Sequence, residues 1–184
     1  YIELVNKYIP DMKKYVSGTG SPMYYAARIA KEKYPDAKIV FVGPCVAKRK
    51  EAQRDEAVDF VMTFEEVSSI FDAFEVNLEI VQPYAMEFSS VREAHGFAQA
   101  GGVMGAVKAF LKMEADKINA IQVSDLNKKN IGTLRAYAKS GKAPGQFIEV
   151  MACEGGCITG PSTHSGSNGK RQLVQELAKQ EKTY

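Results

Sequence analysis

Short apolar runs rich in β-branched residues alternate along this chain with stretches of helical periodicity. Residues 37–42 (Ala-Lys-Ile-Val-Phe-Val) read as a buried strand. The runs at 58–63, 118–123 and 147–152 read the same way, with a weaker strand expected at 77–81. Between them, Ala26, Ala27, Ile29 and Ala30 belong to a helix that stops before Pro35. Val103, Ala106, Val107 and Phe110 share one face of a helix over 102–113. A further helix is expected over 128–139, closed by Gly141. Residues 11–15 read as the end of a helix begun at or before Tyr1, and 172–182 as a charged terminal helix with Leu173, Val174 and Leu177 inward.

The boundaries carry their own chemistry. Ser21-Pro22 is a helix start, with serine as cap and proline in the first helical position. Thr63 with Glu66 three residues on makes a capping box for a helix over 64–74. The charged stretch 48–56 is expected as an exposed loop or short helix. Residues 82–101 contain a long irregular passage of the type that is often functional. Strands alternating with helices predict an α/β architecture with mainly parallel sheets flanked by helices. At 184 residues this is one domain or two small lobes.

Composition narrows the function. A net charge of +2 is too small to argue for nucleic acid or an anionic membrane as partner, and no apolar run approaches a membrane span. No signal-peptide pattern opens the chain, so a cytoplasmic protein is expected. The chain also starts without methionine, which points to a piece of a longer protein.

The candidate chemistry lies in three cysteines, an odd number that makes a poor disulfide framework. Cys45 follows the strand at 37–42, and Cys153-Glu-Gly-Gly-Cys157 follows the strand at 147–152. In open α/β sheets, ligands bind beyond the carboxyl ends of the strands. If both strands run parallel in one sheet, all three thiols emerge at one edge and can converge on a metal centre. Gly155 and Gly156 permit a tight turn beside a bulky ligand, and a helix starting near Cys157 would favour thiolate there. Lys48, Arg49 and Lys50 would offset the charge of ligated thiolates. Thiolates select zinc, copper(I) or iron–sulfur clusters, and the absence of paired Cys-x-x-Cys knuckles favours a cluster over zinc. Against this, a cysteine after a strand is often only a small buried hydrophobe, an even reading for Cys45 taken alone.

At these residues the chain resembles the FeFe-hydrogenase large-subunit family. Pro44-Cys45-Val46-Ala47-Lys48-Arg49-Lys50-Glu51 is similar to the family's second cluster motif, and Glu149-Val150-Met151-Ala152-Cys153-Glu154-Gly155-Gly156-Cys157 to its third. Ser21-Pro22, Thr63-Phe64-Glu65-Glu66 and Gly101-Gly102-Val103-Met104 extend the match. The resemblance implies the fold of the iron hydrogenase catalytic domain and an H-cluster, a 4Fe-4S cubane joined to a diiron subcluster. Cys45, Cys153 and Cys157 would be three of the four cubane ligands, with Cys157 also bridging to the diiron subcluster. Lys48 matches a lysine that donates to a cyanide ligand, Met151 a methionine near the diiron unit, and Ser17 and Glu51 a proton-path serine and a glutamate of the second motif. A cyanide carries negative charge and needs a fixed cationic donor.

The family's first motif, with the fourth ligand and a proton-relaying cysteine, would lie upstream of Tyr1, so residues 1–184 are expected to be part of an H-cluster domain. Such a piece alone would be inactive, and its cluster incomplete or missing. Gly43 stands where a methionine is common, and Ile-Thr-Gly-Pro-Ser follows Cys157 in place of a glycine-rich continuation. Both resemble the divergent, sensory branch of the family. The resemblance thus implies reversible proton reduction to hydrogen, with hydrogen sensing at low turnover, or a cubane-only role in cluster assembly, as alternatives. Iron–sulfur electron-transfer domains, a ferredoxin-like partner or a signalling module would accompany it, in an anaerobe's cytoplasm.

The remaining candidates read as structural. His95 and His164, the only histidines, lack ligand spacing and are expected in solvent. Phe97 matches a pocket phenylalanine but serves a core equally well, and Glu154 is expected to be exposed.

Overall fold

A computed structural model describes residues 1–82, 84 and 90–184, arranged as two compact units. The first unit comprises Tyr1–Ser17, the described residues of Glu87–Thr159, and Ser165–Tyr184; the second comprises Gly18–Met86, again as described, and Gly160–His164.

In the first unit, helix α1 (Ile2–Tyr8) gives way to a 3-10 turn over Pro10–Tyr15. The single helix expected there is interrupted because Pro10 offers no backbone N–H and its ring crowds the preceding turn. In the second unit, α2 (Pro22–Lys33) starts where Ser21-Pro22 predicts, and the Ser21 hydroxyl accepts from the Tyr24 amide. Strand β1 (Val40–Gly43) pairs in parallel with β2 (Phe60–Thr63), from Val40 opposite Phe60 to Gly43 opposite Thr63. The charged crossover contains α3 (Ala47–Ala52). Helix α4 (Phe64–Ala73) follows β2 through the expected capping box: Glu66 N–H donates to Thr63 Oγ1 at 3.2 Å, and Thr63 N–H to Glu66 Oε2 at 2.7 Å.

Residues 77–81 are a turn, not a strand. Asn77 accepts from the Glu79 amide through its side chain at 2.9 Å, and its carbonyl accepts from Ile80 at 3.2 Å. This local bonding competes with extended backbone. Of the irregular passage at 82–101, Pro83 and residues 85–89 lie outside the described residues. Its later part, in the first unit, forms α5 (Arg92–His95) and a 3-10 turn at Gly96–Ala98.

The rest of the first unit is α6 (Gly102–Leu111), β3 (Ala120–Ser124), α7 (Lys128–Ser140), β4 (Phe147–Met151) and α8 (Gly166–Ala178). Strands β3 and β4 are parallel, in register from Ala120 opposite Phe147 to Ser124 opposite Met151. Gly141 ends α7 in the left-handed conformation, as its position predicts. Helix α8 begins six residues before the expected start of 172. Gly166-Ser-Asn-Gly has poor helix propensity, but the start of α8 packs on the 3-10 turn Cys157–Thr159, with Gly169 buried beside Ile158.

Each unit has its own core. Val5, Ile9 and Met12 pack with Val123, Leu134 and Ala138 in the first, whereas Met23, Ala27 and Val58 gather in the second. The architecture is therefore α/β, with two small parallel sheets flanked by helices. The expectation that the strands before Cys45 and Cys153 share one sheet is corrected. β1 pairs with β2 and β4 with β3, because each strand finds its partner in the nearest βαβ crossover. Among the described residues, no helix is long and apolar enough to cross a membrane.

Candidate metal centre

Strand β4 delivers Met151, half-buried at its end, and then Cys153 and Cys157. The chain turns back at once: Gly155 and Gly156 have φ of +78° and +101°, a region that favours glycine. Gly156 N–H donates to the Cys153 carbonyl at 3.1 Å, and Thr159 N–H to the Gly156 carbonyl at 3.2 Å. Ser124, at the end of β3, joins in from the neighbouring strand. Its hydroxyl donates to the Cys153 carbonyl at 3.2 Å and accepts from Gly155 N–H at 3.2 Å. The Thr159 hydroxyl donates to the carbonyls of Glu154 and Gly156. Bonds within the turn and to Ser124 thus hold its backbone, which fixes the spacing of two thiol-bearing residues.

Cys153 is half-buried and Cys157 exposed, and neither they nor Cys45 are disulfide sulfurs. In place of the helix expected near Cys157 there is one 3-10 turn, Cys157–Thr159. Glu154 lies in solvent, as expected. Both histidines are exposed, and His95 pairs through Nδ1 with Gln180 Nε2 at 2.7 Å.

In the second unit, Cys45 is half-buried just past β1, and its carbonyl accepts from Lys48 N–H at 3.2 Å as α3 begins. Lys48 is shielded, with 24% of its side chain exposed, and Nζ donates to Glu51 Oε2 at 2.6 Å. The other Glu51 oxygen accepts from the Ser21 hydroxyl. Ser21, Glu51 and Lys48 therefore form one chain of hydrogen bonds beside Cys45. Ser17 is exposed and belongs to the first unit, so it falls in a different unit from Glu51; the hydroxyl that meets Glu51 is that of Ser21. A Cβ at Gly43 would meet only the ring of Phe41, 2.6 Å from Cε1, a side-chain end rather than backbone. The divergent segment after Cys157 also has a place: the buried Ser162 donates its N–H to the Pro44 carbonyl at 3.3 Å.

Sequence reasoning missed Ser21 as a partner of Glu51, Ser124 as the brace of the cysteine turn, and the buried Glu149. Only Glu149 left a sequence signal, as a lone carboxylate inside the apolar run Phe-Ile-Glu-Val-Met.

The donor chemistry fits a soft metal centre, since two thiols four positions apart on one turn are ligands of the type that iron–sulfur clusters take. Among the described residues, no three His, Cys, Asp or Glu side chains are grouped as a metal-holding set.

Each βαβ unit carries a thiol two residues past the end of a strand, Cys45 after β1 and Cys153 after β4. The family model described as iron only hydrogenase large subunit, C-terminal domain, matches residues 1–161, and the chain belongs to that family. A cytosolic Fe–S cluster assembly factor of Danio rerio is 27% identical, over 91% of this chain and 54% of that protein. Iron hydrogenase 1 of Clostridium pasteurianum is also 27% identical, over 87% of this chain and 36% of its own length. The chain thus spans about half, or less, of these relatives. An FeFe-hydrogenase of Chlamydomonas reinhardtii has the same fold at 20% identity and a TM-score of 0.67, covering 98% of this chain and 64% of the other. A second FeFe-hydrogenase, from a study of stepwise H-cluster assembly, gives 21% identity and a TM-score of 0.68, covering 98% and 65%.

Proposed function

We propose that this chain is the cluster-holding part of a cytoplasmic iron–sulfur protein of the hydrogenase type. It would catalyse or sense the interconversion of protons and hydrogen, with Cys45, Cys153 and Cys157 as cubane ligands. The observation that carries the reading is the glycine turn that sets Cys153 and Cys157 four positions apart just past β4, in a chain whose residues 1–161 match the iron only hydrogenase family.

When bound, an H-cluster supplies the electron transfer and the hydrogen chemistry. The chain's own work is to bind, orient and relay. Lys48, held on one side by Glu51, retains further N–H donors for an anionic ligand such as cyanide. Met151 would pack against the diiron part. Glu51 and the hydroxyls of Ser21 and Ser17 are the groups able to hold a proton near it. The small Gly43 and the Ile-Thr-Gly-Pro-Ser segment after Cys157 change the surroundings of the cluster and favour sensing over rapid turnover. Iron–sulfur electron-transfer domains or a ferredoxin-like protein would be the redox partners, and a signalling module would fit the sensing role.

A role in cluster assembly, with a cubane and no diiron part, is the second reading, favoured by the 27% identity to the Danio rerio assembly factor. Infrared spectroscopy of the full-length protein, matured in the presence of the diiron assembly machinery, separates the two. Bands of carbonyl and cyanide ligands are expected; their absence in protein that has taken up a cubane would overturn the hydrogenase reading. Catalytic current in film electrochemistry then separates turnover from sensing.

A further inference from the structure

Glu149 is a carboxylate in the middle of a short buried strand, 5% exposed, and nothing above gives it a task. Its two oxygens are both spoken for. Gly101 N–H donates to Oε1 and Met104 N–H to Oε2, each at 2.7 Å. These amides open helix α6, whose cap residue Gly101 has a φ of +89° and no side chain with which to cap. Strand β4 therefore supplies the cap from outside the helix, with its charge at the favourable end of the helix dipole.

The gripped segment is also what the cysteine turn rests on. Ala100, next to Gly101, donates its N–H to the Gly155 carbonyl at 2.9 Å. A Cβ at Gly156 would stand 2.7 Å from Gln99 C and 2.8 Å from Ala98 O, so the turn lies directly on the backbone of residues 98–100. One strand thus bears Glu149, Met151 and the approach to Cys153, and the segment held by Glu149 forms the other wall of the turn.

We infer that Glu149 is the positioning residue that sets the geometry of Cys153 and Cys157, by clamping the start of α6 against β4 so that residues 98–101 form a fixed bed for the Gly155-Gly156 turn. The inference deepens the cluster reading, on which its functional meaning rests, but the clamp itself is a property of the chain without metal.

The test uses that metal-free chain. In Glu149→Gln one oxygen is replaced by an amide donor that cannot accept from an N–H, so one of the two bonds is lost. Hydrogen exchange at Gly101, Met104 and Ala100 is expected to quicken by on the order of tenfold or more. Alkylation of Cys153 and Cys157 should change by roughly threefold or more relative to Cys45, at denaturant concentrations well below unfolding. A role in stability alone would not shift that ratio below the transition. A folded variant with unchanged Ala100 exchange and an unchanged ratio overturns the inference. The wild-type chain provides a second check should the variant not fold. Ala100, Gly101, Met104 and Gly156 are expected to open together, with matching dependence on denaturant, and independent opening of Ala100 and Gly156 from the other two overturns it. Wild-type chain that takes up no iron–sulfur cluster, yet shows the clamp in both measurements, would remove the function reading and leave this one.

Discussion

Ser21 shows how one hydroxyl serves both a helix and a site. It caps α2 by accepting from Tyr24 N–H, and it donates to the carboxylate that holds Lys48. Ser21→Ala is expected to cost about 1 kcal/mol of stability through the lost cap. It should also leave Glu51 with one partner fewer, so the Lys48 side chain becomes more mobile. Urea unfolding measures the first effect and NMR relaxation of the Lys48 side chain the second. Just before β2, Asp59 is held well below its ordinary 3.8, to about 2. The Ile39 backbone N–H at 2.8 Å is the main cause, followed by the Lys38 ammonium at 2.9 Å, with Lys31 adding its charge from 3.6 Å. Because the folded value is lowered, the stabilisation is complete above the unfolded value near 3.8 and is lost as pH falls through about 2. An NMR titration of the Asp59 carboxyl should show this, and Asp59→Asn should remove that part of the acid dependence.

Among the elements, the capping box of α4 and the core of the first unit bear the clearest loads. Thr63→Ala removes the acceptor for Glu66 N–H and should cost about 1 kcal/mol. Leu134, on α7, is fully buried in the first core, and Leu134→Ala should cost about 2–5 kcal/mol by leaving a cavity. Denaturant midpoints of the two variants test both values. The four paired strands and helices α2, α4, α6 and α7 were legible in the sequence because local signals agree there. Apolar periodicity, the Ser21-Pro22 and Thr63-Glu66 starts and the Gly141 stop all indicate the same boundaries. The sequence misleads where local signals conflict with wider context. Asn77 closes a turn within an apolar run, and packing of Gly169 draws helix-poor residues into α8. Strand partnership was not legible at all. An apolar run reveals burial but not its neighbour, so the separation of β1 and β4 into two sheets could not be read from residues.

For the whole molecule, the cysteines of the candidate site could be picked out in the sequence, but the residues packed around them could not. Thiols and glycines stand out in a sequence. The Ser124 brace and the Glu149 clamp depend on pairing between segments far apart in the chain. That pairing builds the thiol-bearing turn of the first unit, while in the second a local turn sets Lys48 beside Cys45. The central claim is that these pieces serve a single cluster. Anaerobic reconstitution with iron and sulfide, followed by electron paramagnetic resonance of the reduced protein, tests it on the full-length wild-type protein and its Cys45→Ala variant. The account predicts a cubane signal in the wild type that is lost or strongly altered in Cys45→Ala, although that variant retains both thiols of the other unit. An identical signal from the two proteins, at the same iron content, would contradict it.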